Sequence, residues 1–169
     1  MSSLELFGAS IALSFTAWGV VTASYFWPEL RSRPRAEALR PLLLLHAFRF
    51  VGLAFLIPGV VSPDLPAAWA RPAAYGDVVA ALLALLALAG LKSRAELPLV
   101  WVFNLWGAAD LICGFYLGNA VGLDPGHLGA GYFIVTVLVP LLSSRTRCCC
   151  GCVCAAKPQT ARIRCAPNT

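Results

Sequence analysis

Four stretches of about twenty residues carry almost no charge, and a water-soluble domain rarely holds apolar chain in runs that long. They cover roughly residues 4–27, 41–61, 73–91 and 98–118. A fifth, at 125–144, is 20 residues long. That is roughly 30 Å of helix, just enough to cross a hydrocarbon core. The fifth run is the weakest, because Gly126, Gly129, Gly131 and Pro140 interrupt it. Composition agrees. Of the 169 residues, 59% are hydrophobic and 12% charged. Soluble domains carry about a quarter charged residues, so half that density leaves a water-facing surface uncovered. A soluble bundle of unusually apolar helices is the competing reading, and the four long runs argue against it. The expectation is an all-α fold: an integral membrane helical bundle of five transmembrane helices over 1–144, followed by a cytoplasmic tail at 145–169.

The basic residues give this bundle a direction. Arg31, Arg33, Arg35 and Arg40 follow the first run, Lys92 and Arg94 follow the third, and Arg145, Arg147, Lys157, Arg162 and Arg164 follow the fifth. These eleven fall on one side, against Arg71 alone on the other, while Arg49 lies inside a run. Short cytoplasmic loops are enriched in Lys and Arg, which puts the N-terminus outside and the C-terminus inside. The first basic residue is Arg31, so no basic region precedes the first run as it would in a signal peptide. That run reads as a retained helix. The net charge of +5 therefore reports topology. No basic stripe interleaved with aromatics suggests nucleic acid.

Prolines mark the expected ends. Pro28 is expected to stop the first helix, Pro41 to sit in the first turn of the second, Pro58 to kink or end it, and Pro98 to open the fourth. Asp124 and Pro125 read as the cap and first residue of the fifth. Small residues mark the expected contacts. Asp77, Ala80, Ala84 and Ala87 share a face of the third span, with Leu82, Leu83, Leu85 and Leu86 toward lipid. Gly107, Gly114 and Gly118 line the fourth, and Ser10, Ser14 and Ala17 the first.

Five polar residues lie within or at the edge of the runs: His46, Arg49, Asp77, Asn104 and Asp110. A charge at mid-membrane costs roughly 2.5–3.5 kcal/mol on insertion scales. Arg49 is roughly 12 Å deep and Asp110 roughly 18 Å deep from the same face, an offset that an arginine side chain covers. His46 and Asn104 are level, at roughly 7.5 and 9 Å. His46, Arg49 and Gly52 recur every three residues, as do Asn104, Gly107 and Asp110. Two rungs between the second and fourth spans are expected: His46 with Asn104, and Arg49 with Asp110. Asp77 is expected to share Arg49. Ionisable groups in a membrane are functional candidates by default, so the cluster reads as a site that binds or relays a small polar solute, ion or proton. The competing reading is a register-fixing ion pair.

Other chemistry lacks support. His46 and His127 lie at opposite depths, against a bis-histidine haem. No H-E-x-x-H, Walker A or G-x-G-x-x-G motif occurs, and neither cofactor nor metal is expected. Asp64, Asp77, Asp124 and His127 make a mildly acidic outer mouth that reads as loop residues in water.

Beyond residue 142 the composition breaks. The first 142 residues hold 28 leucines and the last 27 none, whereas six of seven cysteines fall in those last 27. This is not a secreted disulfide framework. Three readings stand: acylated juxtamembrane cysteines, a metal site at Cys149, Cys152 and Cys165 that lacks a second C-x-x-C pair, or a disordered, frame-shifted tail, which the abrupt break favours.

The segments HAFR (His46 to Arg49), AAYGD (ending at Asp77) and NLWGAAD (Asn104 to Asp110) resemble those of small bacterial multi-pass integral membrane proteins, over roughly 42–142. The resemblance implies a bacterial inner-membrane location and carries no activity. Two function classes follow from the residues: a transporter or ion- or proton-handling protein, or an accessory protein whose cluster sets packing. A membrane enzyme is third. The first class lacks an inverted repeat within five helices, and a homo-oligomer would supply it. The lipid bilayer is the one obligatory partner.

Overall fold

The computed structural model describes residues 2–144, so the expected tail at 145–169, with its acylation and metal readings, lies outside the described residues. Within them the chain is helical and has no strand. Four helices are long and apolar enough to cross a membrane, or five if a bent pair at the end is one span. These are α1 (Ser3–Ser32), α2 (Arg35–Leu56), α3 (Ala67–Ala89), α4 (Glu96–Ala120) and the bent pair α5 (Pro125–Gly131) and α6 (Ile134–Ser144).

α1 begins on a capping box. The Glu5 N–H donates to Ser2 Oγ at 3.2 Å, and the Ser2 N–H donates to the Glu5 carboxylate at 2.8 Å. Contrary to expectation, Pro28 does not end it. Proline lacks a donor and presses on the carbonyl four residues back. Here a π turn over Thr22–Phe26 precedes it, with the Trp27 N–H bonded to Thr22 O. That wider turn makes room for the ring. The same device recurs in α6, where a π turn over Ile134–Leu138 precedes Pro140. The helix stops instead at Arg33, which Pro34 holds extended (φ −89°, ψ 153°).

The arginine-rich linker expected at 28–40 thus shrinks to a two-residue break. Pro34 caps α2, accepting the Glu37 and Ala38 N–H groups at 3.0 Å, so Pro41 falls inside the helix and not in its first turn. α2 changes character midway. It is α-helical to Ala47 and 3-10 over Phe48–Leu56. At three residues per turn, side chains i and i+3 eclipse. Arg49, Gly52 and Phe55 therefore line up on one face, and they are the buried residues of that segment. α2 ends before Pro58.

α3 starts at Ala67, six residues before the expected 73, with Pro66 as its cap and Pro72 inside it. Its small face is buried as expected: Ala80, Ala84 and Ala87 are fully covered, while Leu82, Leu85 and Leu86 are exposed; Leu83, expected with them, packs instead against the core. α3 packs against both α2 and α4 and forms the middle of the bundle. Pro98 lies in the first turn of α4, and the Asp124 side chain caps α5 by accepting the Gly126 N–H at 2.8 Å.

The expected continuous fifth span is broken. Gly129 adopts φ 51°, ψ −129°, and α5 and α6 meet at 84°. Only glycine takes this backbone conformation readily. It lets Ala130 N–H reach Val60 O at 2.9 Å while Ser62 N–H reaches His127 O at 3.0 Å. The two loops at this end are thereby stitched together. At the other end, Arg35 Nε donates to the buried Glu96 at 2.9 Å, and the Lys92 N–H donates to the same carboxylate at 2.7 Å. The two basic turns, 33–34 and 90–95, thus share one end of the bundle.

The core is divided accordingly. One cluster, with Leu39, Leu42, Leu43, Ala84, Val100 and Phe103, fills the basic end. Another, with Phe55, Trp69, Leu128 and Val135, fills the opposite end. α1 stands apart: none of its residues up to Val21 is buried. It touches the bundle through Leu30 at the basic end, and through Phe7, Ile11 and a Tyr132–Ser10 hydrogen bond of 2.8 Å at the other.

Gly129→Ala should destabilise the protein by about 1–3 kcal/mol through backbone strain alone, and more because its Cβ would lie 2.5 Å from Val60 O. A lowered unfolding midpoint in detergent, with the remaining helix content intact, is the expected result.

Candidate functional site

Between the two apolar clusters lies a polar layer. The eclipsed face of α2 presents Arg49, whose side chain is fully buried. Its Nε donates to Asp77 Oδ1 of α3 at 2.7 Å. Its Nη2 donates to Asp110 Oδ2 of α4, and its Nη1 reaches Gly107 O at 3.5 Å. One guanidinium thus binds three helices. A buried charge is tolerated only when paired and hydrogen-bonded, and the fork geometry of arginine allows two carboxylates at once.

Three glycines make the approach feasible. A Cβ on Gly52 of α2 would fall on the Asp77 carboxylate, and one on Gly76 of α3 on the Asp110 carboxylate. One on Gly107 of α4 would lie 3.1 Å from Arg49 Nη1. Each helix therefore supplies one charge and one glycine, and each glycine receives the charge of a neighbour, closing a ring of three contacts. Two tryptophans brace the ring: Trp106 Nε1 donates to Gly76 O at 3.2 Å, and Trp69 Nε1 to Gly114 O at 2.9 Å.

The structure brings together Arg49, Asp77 and Asp110 of the five residues singled out by sequence. It does not form the expected His46–Asn104 rung. His46 is fully buried, but its ring packs against Phe103 with centroids 4.9 Å apart and planes at 67°. Asn104 is also buried, and neither its Oδ1 nor its Nδ2 has a hydrogen-bond partner among the described residues. In place of Asn104, His46 meets the ring of Phe103, the residue before Asn104 in α4. Of the acidic mouth, Asp124 is a cap, Asp64 closes a local turn with Ser62 and His127 O binds Ser62. These are loop roles, whereas Asp77, expected among them, lies within α3 and is paired with Arg49. Sequence reasoning passed over Gly76, Trp69, Trp106 and Glu96. Gly76 was findable, standing directly before Asp77.

Both carboxylates also border a cavity of about 430 Å³ between α1, α3, α4 and α6. Phe7, Ile11, Phe55, Trp69 and Phe115 form much of its wall, and Arg49, Asp77 and Asp110 its charged part. The Asp77 and Asp110 side chains are 16% and 13% exposed. Their second oxygens, Asp77 Oδ2 and Asp110 Oδ1, accept no hydrogen bond from the described residues. A pocket of this size, apolar with a few converging polar groups, has the form of a small-molecule site.

A family described as Domain of unknown function (DUF8737) matches residues 6–147, which takes in the whole polar layer. No curated protein and no solved structure matches the chain.

Arg49→Leu should cost about 3–5 kcal/mol, because two carboxylates are left buried without a counter-charge. Adding Asp77→Asn and Asp110→Asn should recover most of that loss in thermal unfolding. Gly76→Ala should cost about 1–3 kcal/mol by displacing Asp110. Gly114→Ala, whose Cβ meets nothing within 4 Å, should be neutral or stabilising by up to about 1 kcal/mol.

Proposed function

This chain belongs to the DUF8737 family, and we propose that it is an integral membrane protein whose Arg49–Asp77–Asp110 layer binds or relays a small polar solute, ion or proton. The observation that carries the reading is a charge imbalance. Two carboxylates share one guanidinium and border the same cavity. With all three groups ionised, the layer holds one net negative charge among apolar walls. An uncompensated charge there is costly, and a proton or cation entering the cavity relieves it.

The membrane placement has five spans, counting α5 and α6 as one broken span. Non-helical backbone is tolerated at membrane depth where protein buries it, and Gly131 and Leu128 beside the break are buried. Large apolar side chains face outward along the helices, among them Leu13 at 71%, Ile112 at 69% and Leu105 at 64% exposure. Lipid is the solvent that suits them. The basic turns at one end support an N-terminus outside and a C-terminus inside, and the resemblance of the HAFR, AAYGD and NLWGAAD segments suggests a bacterial inner membrane.

A second reading, an accessory membrane protein whose cluster fixes packing, draws on the glycine ring. Those contacts set helix register whether or not anything enters the cavity.

A fluorescent protein fused at the C-terminus should fold and emit in cells, and alkaline phosphatase inserted beside Asp64 should be active. Reversed results would overturn the topology. In reconstituted vesicles the protein should dissipate a proton or cation gradient faster than empty vesicles do, and Asp110→Asn should abolish the difference. Folded protein without any flux selects the packing role.

A further inference from the structure

We infer that the cavity is a binding site for an amphiphilic organic ammonium ion, a small cation with an apolar body. This rests on the reading of the charged layer as a ligand site and names the ligand class. The argument has three parts. The charged end of the cavity has the wrong sign for an anion: two carboxylates face one guanidinium, and that guanidinium is already spent on Asp77, Asp110 and the Gly107 carbonyl. Asp77 Oδ2 and Asp110 Oδ1 lie against Gly52 and Gly76 and accept no hydrogen bond from the described residues, and the partly exposed carboxylates that border the cavity suit a positive group.

The walls exclude a bare metal ion as the natural occupant. The cavity has about 430 Å³, room for a drug-sized fragment. An ion would fill a small part of it and leave apolar surface wet. Phe7, Phe55, Trp69 and Phe115 line it, and aromatic faces attract organic ammonium groups. Phe55 and Trp69 already stand edge to face, with centroids 5.0 Å apart, so part of this aromatic wall is set before a ligand arrives.

The third part is the access route. α1 forms one wall of the cavity through Leu4, Phe7, Gly8 and Ile11, yet has no buried residue up to Val21. A ligand that partitions into the lipid phase meets the loosest wall first. A zwitterionic lipid headgroup fits less well, since its phosphate would approach two carboxylates.

The test uses purified full-length protein in phosphatidylglycerol nanodiscs, titrated calorimetrically with benzyltrimethylammonium, its uncharged isostere neopentylbenzene, and benzenesulfonate. The cation should bind saturably and at least about tenfold tighter than the isostere. Asp110→Asn, which keeps an Arg49–Asp77 pair and so a balanced interior, should weaken the cation by about tenfold or more. Gly114→Leu, which fills open space on the cavity wall, should block all binding without touching the charges. Equal affinity for cation and isostere, unaltered by Asp110→Asn, overturns the inference, as does preference for the sulfonate. Loss of cation binding in discs containing phosphatidylethanolamine overturns it in favour of a lipid ammonium. If no probe binds while Asp110→Asn still abolishes flux, the inference fails and the ion- or proton-handling reading stands. If the cation binds as described and no flux occurs, the inference stands and the relay falls.

Discussion

A single guanidinium decides how three helices can meet. Arg49 has no access to water along its side chain, so its charge must be met inside the protein, and the two acids that meet it come from different helices. That requirement reaches back into local structure. α2 tightens to a 3-10 helix as it delivers Arg49, and α2, α3 and α4 each place a glycine where a neighbour's charged group must fit. Breaking such a layer is costly because what remains is a buried unpaired charge, even though the net worth of an intact buried ion pair is small. The layer is therefore better understood as a specification of register than as a source of stability.

The rest of the molecule is arranged around this layer. Apolar clusters close it above and below. Arg35 and Glu96 tie the turns at one end, while Val60, Ser62, His127 and Ala130 tie the loops at the other. α1 is held mainly near its two ends, and the space it fences off opens on the two carboxylates. The three charged helices are thus joined side chain to side chain, while α1 closes the space beside them with no buried residue up to Val21.

Much of this was legible in the residues. Apolar run length gave the four long helices. Depth along the second and fourth spans, which run in the same direction, paired Arg49 with Asp110 and brought in Asp77, since charge and reach leave few alternatives. The small face of α3 followed from alanine spacing. What escaped was set by helix type and by what precedes a proline. Pro28 was expected to stop α1, but a π turn before it absorbs the steric demand, and no residue pattern in TASYF announces that turn. Pro34 acts as the real break because Arg33 before it has no such relief. The His46–Asn104 pairing rested on equal depth, which does not distinguish Asn104 from its neighbour Phe103, the residue that His46 meets. Gly129 was visible as a weakness in the fifth run, yet its role depends on Val60, nearly seventy residues earlier.

The spacing of the three charges along the chain has a consequence for biogenesis. Asp77 follows Arg49 by 28 residues and Asp110 follows it by 61. On the proposed membrane placement, a chain inserted in order of synthesis brings in the helix bearing Arg49 before the helices that carry either acid. For that interval the apolar residues of α2 offset a cost of about 2.5–3.5 kcal/mol, and the four consecutive leucines Leu42 to Leu45 stand just ahead of the charge. Each later helix then arrives with one carboxylate for a cation already in place. The polar layer is in this sense a record of assembly order.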